Sequence, residues 1–366
     1  MKKTPLILLT LVLLAACSTP KDESEVYFTD QITPEGFMKI YKTISDELEG
    51  KVGVKVHFGE EGNTYFVKPE LFKNIVLDCQ GTFIETNVLY KSPRQQTESH
   101  IALAKDHGFT YAPIDILDAP GEILIENIPG CQHYKKFYFG KNLDNYNSFL
   151  IISHFKGHGS SGFGGAIKNI SMGFATPKGK LAMHRNNFPV CDHNRCTNCD
   201  SCAVECPANA ITTNPFSIDV EKCTGCGKCI DVCPNDALRY PKDKEDVQTV
   251  FCERLVEYAK AILNRHEKMV YINVLVDIST SCDCSRNPGK PFVPNIGILA
   301  STDIVAIEKA SHDLVAKNHG CKDPFLEAVK TSGLHQIDYA HELGMGNKNY
   351  RLINIDNKET TVVRAE

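Results

Sequence analysis

Between positions 196 and 233 the chain reads Cys196-x-x-Cys199-x-x-Cys202-x-x-x-Cys206-Pro207 and then Cys223-x-x-Cys226-x-x-Cys229-x-x-x-Cys233-Pro234. No other feature of the sequence constrains the fold as tightly. Three cysteines at intervals of three wrap one face of an iron–sulfur cubane. The fourth lies too far round to close the same site and ligates the other cluster. The spacing therefore predicts one [4Fe–4S] cluster on Cys196, Cys199, Cys202 and Cys233, and a second on Cys223, Cys226, Cys229 and Cys206. Pro207 and Pro234 turn the chain after each crossing ligand, and Ala210-Ile211 and Ala237-Leu238 read as matching short returns, so the two halves are pseudo-symmetric. Gly225 and Gly227 let backbone N–H groups approach the sulfurs of the second cluster, whereas Asn198 and Asp200 stand at the corresponding places in the first. The two environments differ, and two different potentials are expected from them.

Zinc sites usually take two well-separated Cys-x-x-Cys pairs, and disulfide frameworks belong to small secreted domains. Neither fits a doubled four-cysteine run followed by proline. Half of the 16 cysteines fall in this one block. Cys191, five residues before Cys196, reads as a packed free thiol or a spare ligand.

The block occupies only a small part of 366 residues, and that length predicts about two domains. A hydrophobic content of 42% supports an ordinary core. The formal net charge of −5 and the absence of a basic stripe argue against nucleic acid as a partner.

On either side of the block, strand and helix patterns alternate. Strands are expected at 52–58, 82–86, 149–153, 270–276, 296–299 and 352–355, with an antiparallel pair at 123–125 and 136–139. Helices are expected at 69–80, 98–107, near Ala166, and at 250–265 and 303–317. Such alternation implies an α/β fold, a mostly parallel sheet with helices on both faces. It is interrupted by a bacterial-type two-[4Fe–4S] ferredoxin domain at 189–241. The α/β domain is then discontinuous, 26–188 and 242–356, and a polar tail follows at 357–366.

The start of the chain carries a different signal. Lys2 and Lys3 precede an apolar run, and Leu14-Ala15-Ala16-Cys17 follows. This pattern resembles a lipoprotein signal peptide over 1–17, with Cys17 as the lipidated residue and 18–25 as a tether. A membrane-anchored bacterial lipoprotein is expected. Because clusters are normally inserted in the cytoplasm and no twin-arginine motif is present, a cytoplasmic location is the alternative.

Ligands of open α/β sheets gather beyond the carboxyl ends of the strands. The polar residues there are His57, Gly59, Glu60, Gly62 and Asn63, then Asn87 and Tyr90, then His154, Lys156 and His158. Further along come a glycine stretch containing Gly162, Gly164, Gly165, Lys168 and Asn169, then Cys282-Asp283-Cys284, and Ser301-Thr302-Asp303. His154 and His158 are candidate ligands or proton donors. Lys156 and Lys168 are candidates for holding an anion. The glycine stretch is either an anion-binding loop opening a helix or a tight turn with close contacts. Cys282 and Cys284 are a further metal pair, a redox pair or packed thiols. Asp303 reads equally as a helix N-cap.

The segments Lys55-Val56-His57-Phe58-Gly59-Glu60, Ser153-His154-Phe155-Lys156-Gly157-His158, Gly162-Phe163-Gly164-Gly165-Ala166-Ile167-Lys168-Asn169, Cys282-Asp283-Cys284 and Asn295 to Asp303 carry a family likeness. The chain resembles the iron–sulfur centre proteins of domain-of-unknown-function family 362 over nearly everything after the tether. The resemblance implies an α/β domain paired with ferredoxin clusters. It also implies a cytoplasmic setting for the usual member, from which the lipid motif departs.

Taken together, these readings predict an iron–sulfur electron-transfer protein. The leading expectation is a redox enzyme that passes electrons from a redox partner protein to a site holding an anionic small molecule or a metal. The alternatives are a membrane-tethered carrier or docking subunit, and a metal-handling or cluster-assembly factor.

Overall fold

The structure is a computed structural model describing residues 23–184, 188–220, 222–223, 225, 227–240 and 244–364. The expected signal peptide with Cys17, residues 18–22 of the expected tether, and Cys226 lie outside the described residues.

Nine strands form the main sheet: β1 Ser24–Thr29, β2 Val52–Lys55, β3 Thr82–Glu85, β4 Ile114–Ile116, β5 Ser148–His154, β6 Met269–Leu275, β7 Gly297–Ser301, β8 Tyr350–Asn354 and β9 Thr360–Val363. Their spatial order is β9-β8-β1-β7-β6-β5-β2-β3-β4. Five neighbouring pairs are parallel and three, those made by β7 and β9, are antiparallel. The sheet is thus mostly parallel.

The central strand shows why. In β5, Ser-Phe-Leu-Ile-Ile-Ser-His is buried along its whole length, the pattern of a strand covered on both faces. Alternate side chains divide between two cores. Phe149 and Ile151 join Phe174 and Ile262 on one face, while Leu150 and Ile152 join Phe37, Ile40 and Ile75 on the other. Helices cover both faces: Ala166–Phe174, Lys244–Arg265 and Ile304–His319 on the first, Pro34–Tyr41 and Lys73–Asp78 on the second. Truncating Phe149 to Ala at this centre is expected to cost about 3–5 kcal/mol.

β5 and β6 pair in parallel, from Met269↔Phe149 to Val274↔His154, although the cysteine block lies between them in sequence. Within that block, Val190–Cys191 pairs with Leu238–Arg239, and Ile211–Thr213 pairs with Phe216–Ile218. Two short helices, Ser201–Val204 and Lys228–Asp231, lie within the two cysteine runs, each carrying the third cysteine.

Three expectations need correction. The expected tether reaches to residue 25, but Ser24 and Glu25 already belong to β1, paired with Tyr350 and Arg351. The expected polar tail at 357–366 contains β9, which returns antiparallel beside β8 after a turn with Lys358 at φ 64°. Its Thr-Thr-Val-Val sequence does not alternate and only Val363 is half-buried, so this exposed edge strand gives no periodic signal. The third correction concerns Ser301, Thr302 and Asp303. Because β7 runs antiparallel to both neighbours, these residues sit at the opposite edge from the other candidates. Asp303 is a helix cap there: Oδ1 accepts from the N–H groups of Val305 and Ala306 at 2.8 and 2.9 Å, and Oδ2 accepts from Ser24 and from Asn347 N–H.

Candidate functional site

The cysteine block encloses two small cavities. One, of about 340 Å³, is lined by Cys196, Cys199, Cys202 and Cys233. The other, of about 290 Å³, is lined by Cys206, Cys223 and Cys229. In each, the cysteine before proline comes from the other half of the block, as cross-ligation requires.

The backbone repeats the symmetry. Asn198 and Asp200 take positive φ of 52° and 62°, where Gly225 and Gly227 take 67° and 74°. Asn209 and Asp236, three residues after Cys206 and Cys233, have φ of 48° and 47°. Asn and Asp are the side-chain-bearing residues that enter this region most readily, so the first run reproduces the path of the second without glycine. Backbone N–H groups of Ala210, Gly225 and Ala237 donate to the sulfurs of Cys206, Cys223 and Cys233 at 3.3, 3.4 and 3.2 Å. Converging thiols with N–H donors aimed at sulfur fit a [4Fe–4S] group in both cavities. Cys191 stands against Cys196, and burial and this neighbour push its thiol up to about 11.

A third cavity, of about 910 Å³, opens at the carboxyl ends of β2, β3 and β5. Lys55 and His57 come from β2 and its exit, Glu85 from β3, and Tyr90 and Arg94 from the following loop. His154 ends β5, and Lys156 and His158 lie on a hairpin with Gly162–Gly164. Helix Ala166–Phe174 adds Lys168 and Asn169, helix Pro177–His184 adds Lys180 and His184, and Cys284 arrives from the loop after β6.

Most of these groups are mutually satisfied. Lys55 Nζ lies 3.1 Å from Glu85 and donates to Val56 O and to Asn169 Oδ1. Arg94 reaches Glu85 at 3.3 Å and Tyr90 at 3.2 Å. Asp283 is buried between His154, 2.8 Å from Oδ1, and Lys156, 3.3 Å from Oδ2. Burial acts to raise its carboxyl, but the neighbouring His154 and Lys156 hold it below the usual range. The second ring nitrogen of His154 faces Val276 O at 2.7 Å. Both nitrogens are therefore engaged with oxygens, and His154 anchors the loop instead of serving as a free ligand or proton donor.

His158 differs. Ser161 Oγ donates to Phe163 O and so accepts from His158 Nδ1–H at 2.8 Å. Nε2 keeps its lone pair, and burial with Lys168, His184 and Lys156 nearby pushes the ring well below its ordinary value. The result is a neutral imidazole facing the cavity.

The cationic balance is not closed. Among the described residues Lys168 makes no direct ion pair or hydrogen bond through its ammonium group, and burial with Lys156 pushes it down to about 7 although Asp283 acts the other way. Lys180 donates only to neutral oxygens, Thr86 Oγ1, Asn87 O and Ala175 O, at 2.6–2.9 Å; burial pushes it down to about 7. The cavity therefore has positive charge to spare, and an anion restores neutrality.

The anion loop expected at Gly162, Gly164 and Gly165 is occupied from within. The buried carboxylate of Glu308 accepts from the N–H groups of Ala166 and Ile167, which open the helix. Burial pushes Glu308 up to about 7. The glycines serve close contact: Gly162, at φ 74°, lies against Gly333 backbone, and a Cβ at Gly165 would meet Glu308. The Cys282 and Cys284 pair is joined as a disulfide, with Cys282 buried and Cys284 on the cavity wall.

Sequence reasoning missed Lys55, Arg94, Lys180 and His184. A lysine inside the apolar run Val52-Gly53-Val54-Lys55-Val56 was the available signal. Lys180 and His184 offered none, since only the fold brings their helix to this edge. His184 also links two sites. It borders the large cavity and lies beside the backbone of Gly225, which lines the second cysteine cavity; burial and Lys168 push its ring down to about 4.

A family model described as Domain of unknown function (DUF362) matches residues 52–313, spanning β2 through most of helix Ile304–His319 and so containing every residue of these three cavities. The chain belongs to the DUF362 family. Among solved structures, this DUF362 chain is similar to a lactate racemase apoprotein from Thermoanaerobacterium thermosaccharolyticum, at 14% identity and TM-score 0.38, covering 71% of this chain and 52% of that one. It is also similar to a structural-genomics crystal structure of a Thermotoga maritima protein, at 9% identity and TM-score 0.39, covering 80% and 60%. The DUF362 chain thus spans little more than half the length of these structures. No curated protein matches it. Among the described residues no helix is long and apolar enough to cross a membrane.

Proposed function

We propose that this protein is an iron–sulfur oxidoreductase that holds two [4Fe–4S] clusters in the 189–241 region, takes electrons from a redox partner protein and delivers them to an anionic small molecule in the large cavity. The observation that carries this reading is His184, which lines the large cavity and lies beside the backbone of Gly225, itself part of the wall of the second cysteine cavity. When bound, the clusters supply reversible one-electron transfer.

The chain's own residues do the rest. The eight cysteines hold the clusters, and the N–H groups of Ala210, Gly225 and Ala237 stabilise charge on sulfur. Lys168 holds the anion, and Lys180, whose three donors are already engaged, adds its charge. His158 Nε2 exchanges a proton with the reacting atom. Val88, Leu89 and Met172 supply apolar wall. A simple carrier has no need of such a cavity. Cys17, as a lipidated residue, would keep the protein at a membrane surface, and Cys17→Ala should then release it to the soluble fraction.

The test is to reduce the cluster-loaded protein with a one-electron donor and follow re-oxidation of its visible absorption on adding oxidised carboxylates and phosphate esters. Re-oxidation by one class, lost in Lys168→Met, is expected. Clusters that bind and reduce, but are re-oxidised by none of these anions, would remove the cavity from the reaction.

A further inference from the structure

We propose that the Cys282–Cys284 disulfide is the two-electron acceptor of the large cavity, reduced by one electron from each of the two clusters. The proposal rests on the electron-transfer reading above.

Four observations meet here. Cys284 lies on the wall of the cavity that His184 borders, and His184 lies beside Gly225 on the wall of the second cysteine cavity. The loop that carries the pair is pinned on every side: Asp283 by His154 and Lys156, Asp283 O by Glu60 N–H at 3.0 Å, and Ser285 O by Asn63 at 2.8 Å. A group fixed this firmly keeps its place through a redox cycle. Lys156 and Lys168 line the same cavity as Cys284, so negative charge that develops on sulfur as the bond opens meets cationic neighbours before it is protonated. Finally, the electron count matches. A disulfide needs two electrons, and two [4Fe–4S] clusters exchange one each.

The step balances as follows. The sulfur–sulfur bond accepts two electrons and breaks, and the two sulfurs take up two protons from water entering the cavity, giving two thiols. The external one-electron donor protein is oxidised twice. The dithiol then returns two electrons and two protons to the bound anionic substrate as the sulfur–sulfur bond re-forms. Single electrons are thereby converted to a pair.

The experiment uses the cluster-loaded protein without oxygen. It is photoreduced with a deazaflavin, quenched in acid and alkylated, and the peptide spanning 282–284 is weighed by mass spectrometry. The expected result is a disulfide before reduction and two alkylated cysteines after it. In Cys229→Ser and in Cys202→Ser, each assembled with one cluster, the doubly alkylated fraction should fall at least fivefold at equal illumination. Clusters that bleach while the bond stays intact would overturn the relay and leave the electron-transfer reading standing. Equal reduction of the bond in both variants would also overturn it, by making the clusters irrelevant. So would a pair isolated as a metal-bound dithiol. Protein that binds no cluster would sink the reading beneath the proposal, and iron content separates that failure from the others.

Discussion

In the cysteine block every group that matters comes from one short stretch, Cys196 to Cys233, whereas the large cavity is assembled from residues as distant as Lys55 and Cys284. The block works by local conformation. Paired left-handed residues, Asn198 and Asp200 against Gly225 and Gly227, wind each run around a central void. The cavity works by long-range electrostatics. Its charges make sense only in combination, as when Asp283 stands between His154 and Lys156 while Lys168 is left unmatched. A metal site can thus be encoded in spacing, but a cationic cavity has to be folded before its balance exists.

The sharpest way to break this comparison is to remove a crossing ligand. Cys206→Ser should deplete the second cluster and Cys233→Ser the first, each lowering iron by about four atoms per chain while the other cluster persists. If one substitution empties both sites, or neither, the pseudo-symmetric pairing is wrong.

On the cavity side the largest effect should come from Asp283→Ala. It leaves the buried His154 Nδ1 without its hydrogen-bond partner and the buried Lys156 without its counter-charge. A loss of about 3–5 kcal/mol in chemical denaturation is expected, with the cysteine block still able to bind iron. Asp283→Asn should cost less, because the amide still accepts a hydrogen bond.

Glu308 makes a pH-dependent prediction. Its carboxyl is raised from an ordinary 4.5 to about 7. A raised folded value means that its contribution is fully present below pH 4.5 and is lost as pH rises through 7. Stability should therefore decline over this window, by up to about 3 kcal/mol at the high end. In Glu308→Gln the decline should be shallower. An unchanged slope would show that the helix cap is ionised throughout.

The smallest effect concerns Lys168. Its lowered value means that folding favours the neutral amine, so stability should rise with pH above about 7. Lys168→Met should flatten that rise and add a few tenths of a kcal/mol at neutral pH, since the side chain is half-buried and partly screened. The same variant should bind phosphate or a dicarboxylate more weakly by calorimetry. Stability gained without binding lost would exclude Lys168 from the anion site.

How much was legible in advance follows the same division. Strands such as β5 and β6 announce themselves as apolar runs, and the eight cysteines as a spacing. The edge at which a residue emerges did not, because strand direction is a property of pairing: Asp303 looked equivalent to Asp283 until β7 proved antiparallel. Glycines near Gly165 looked like an anion loop because their real partner, Glu308, lies more than a hundred residues away. Lys180 and His184 were silent for the same reason.

The central claim is that the two cysteine cavities are [4Fe–4S] sites feeding the large one. Its most direct test is iron, acid-labile sulfide and zinc per chain in protein purified without oxygen, measured together with the low-temperature electron paramagnetic resonance of the reduced form. About eight irons, about eight sulfides and two interacting paramagnets are predicted. Zinc in place of iron, or cysteines paired as disulfides, would contradict the account.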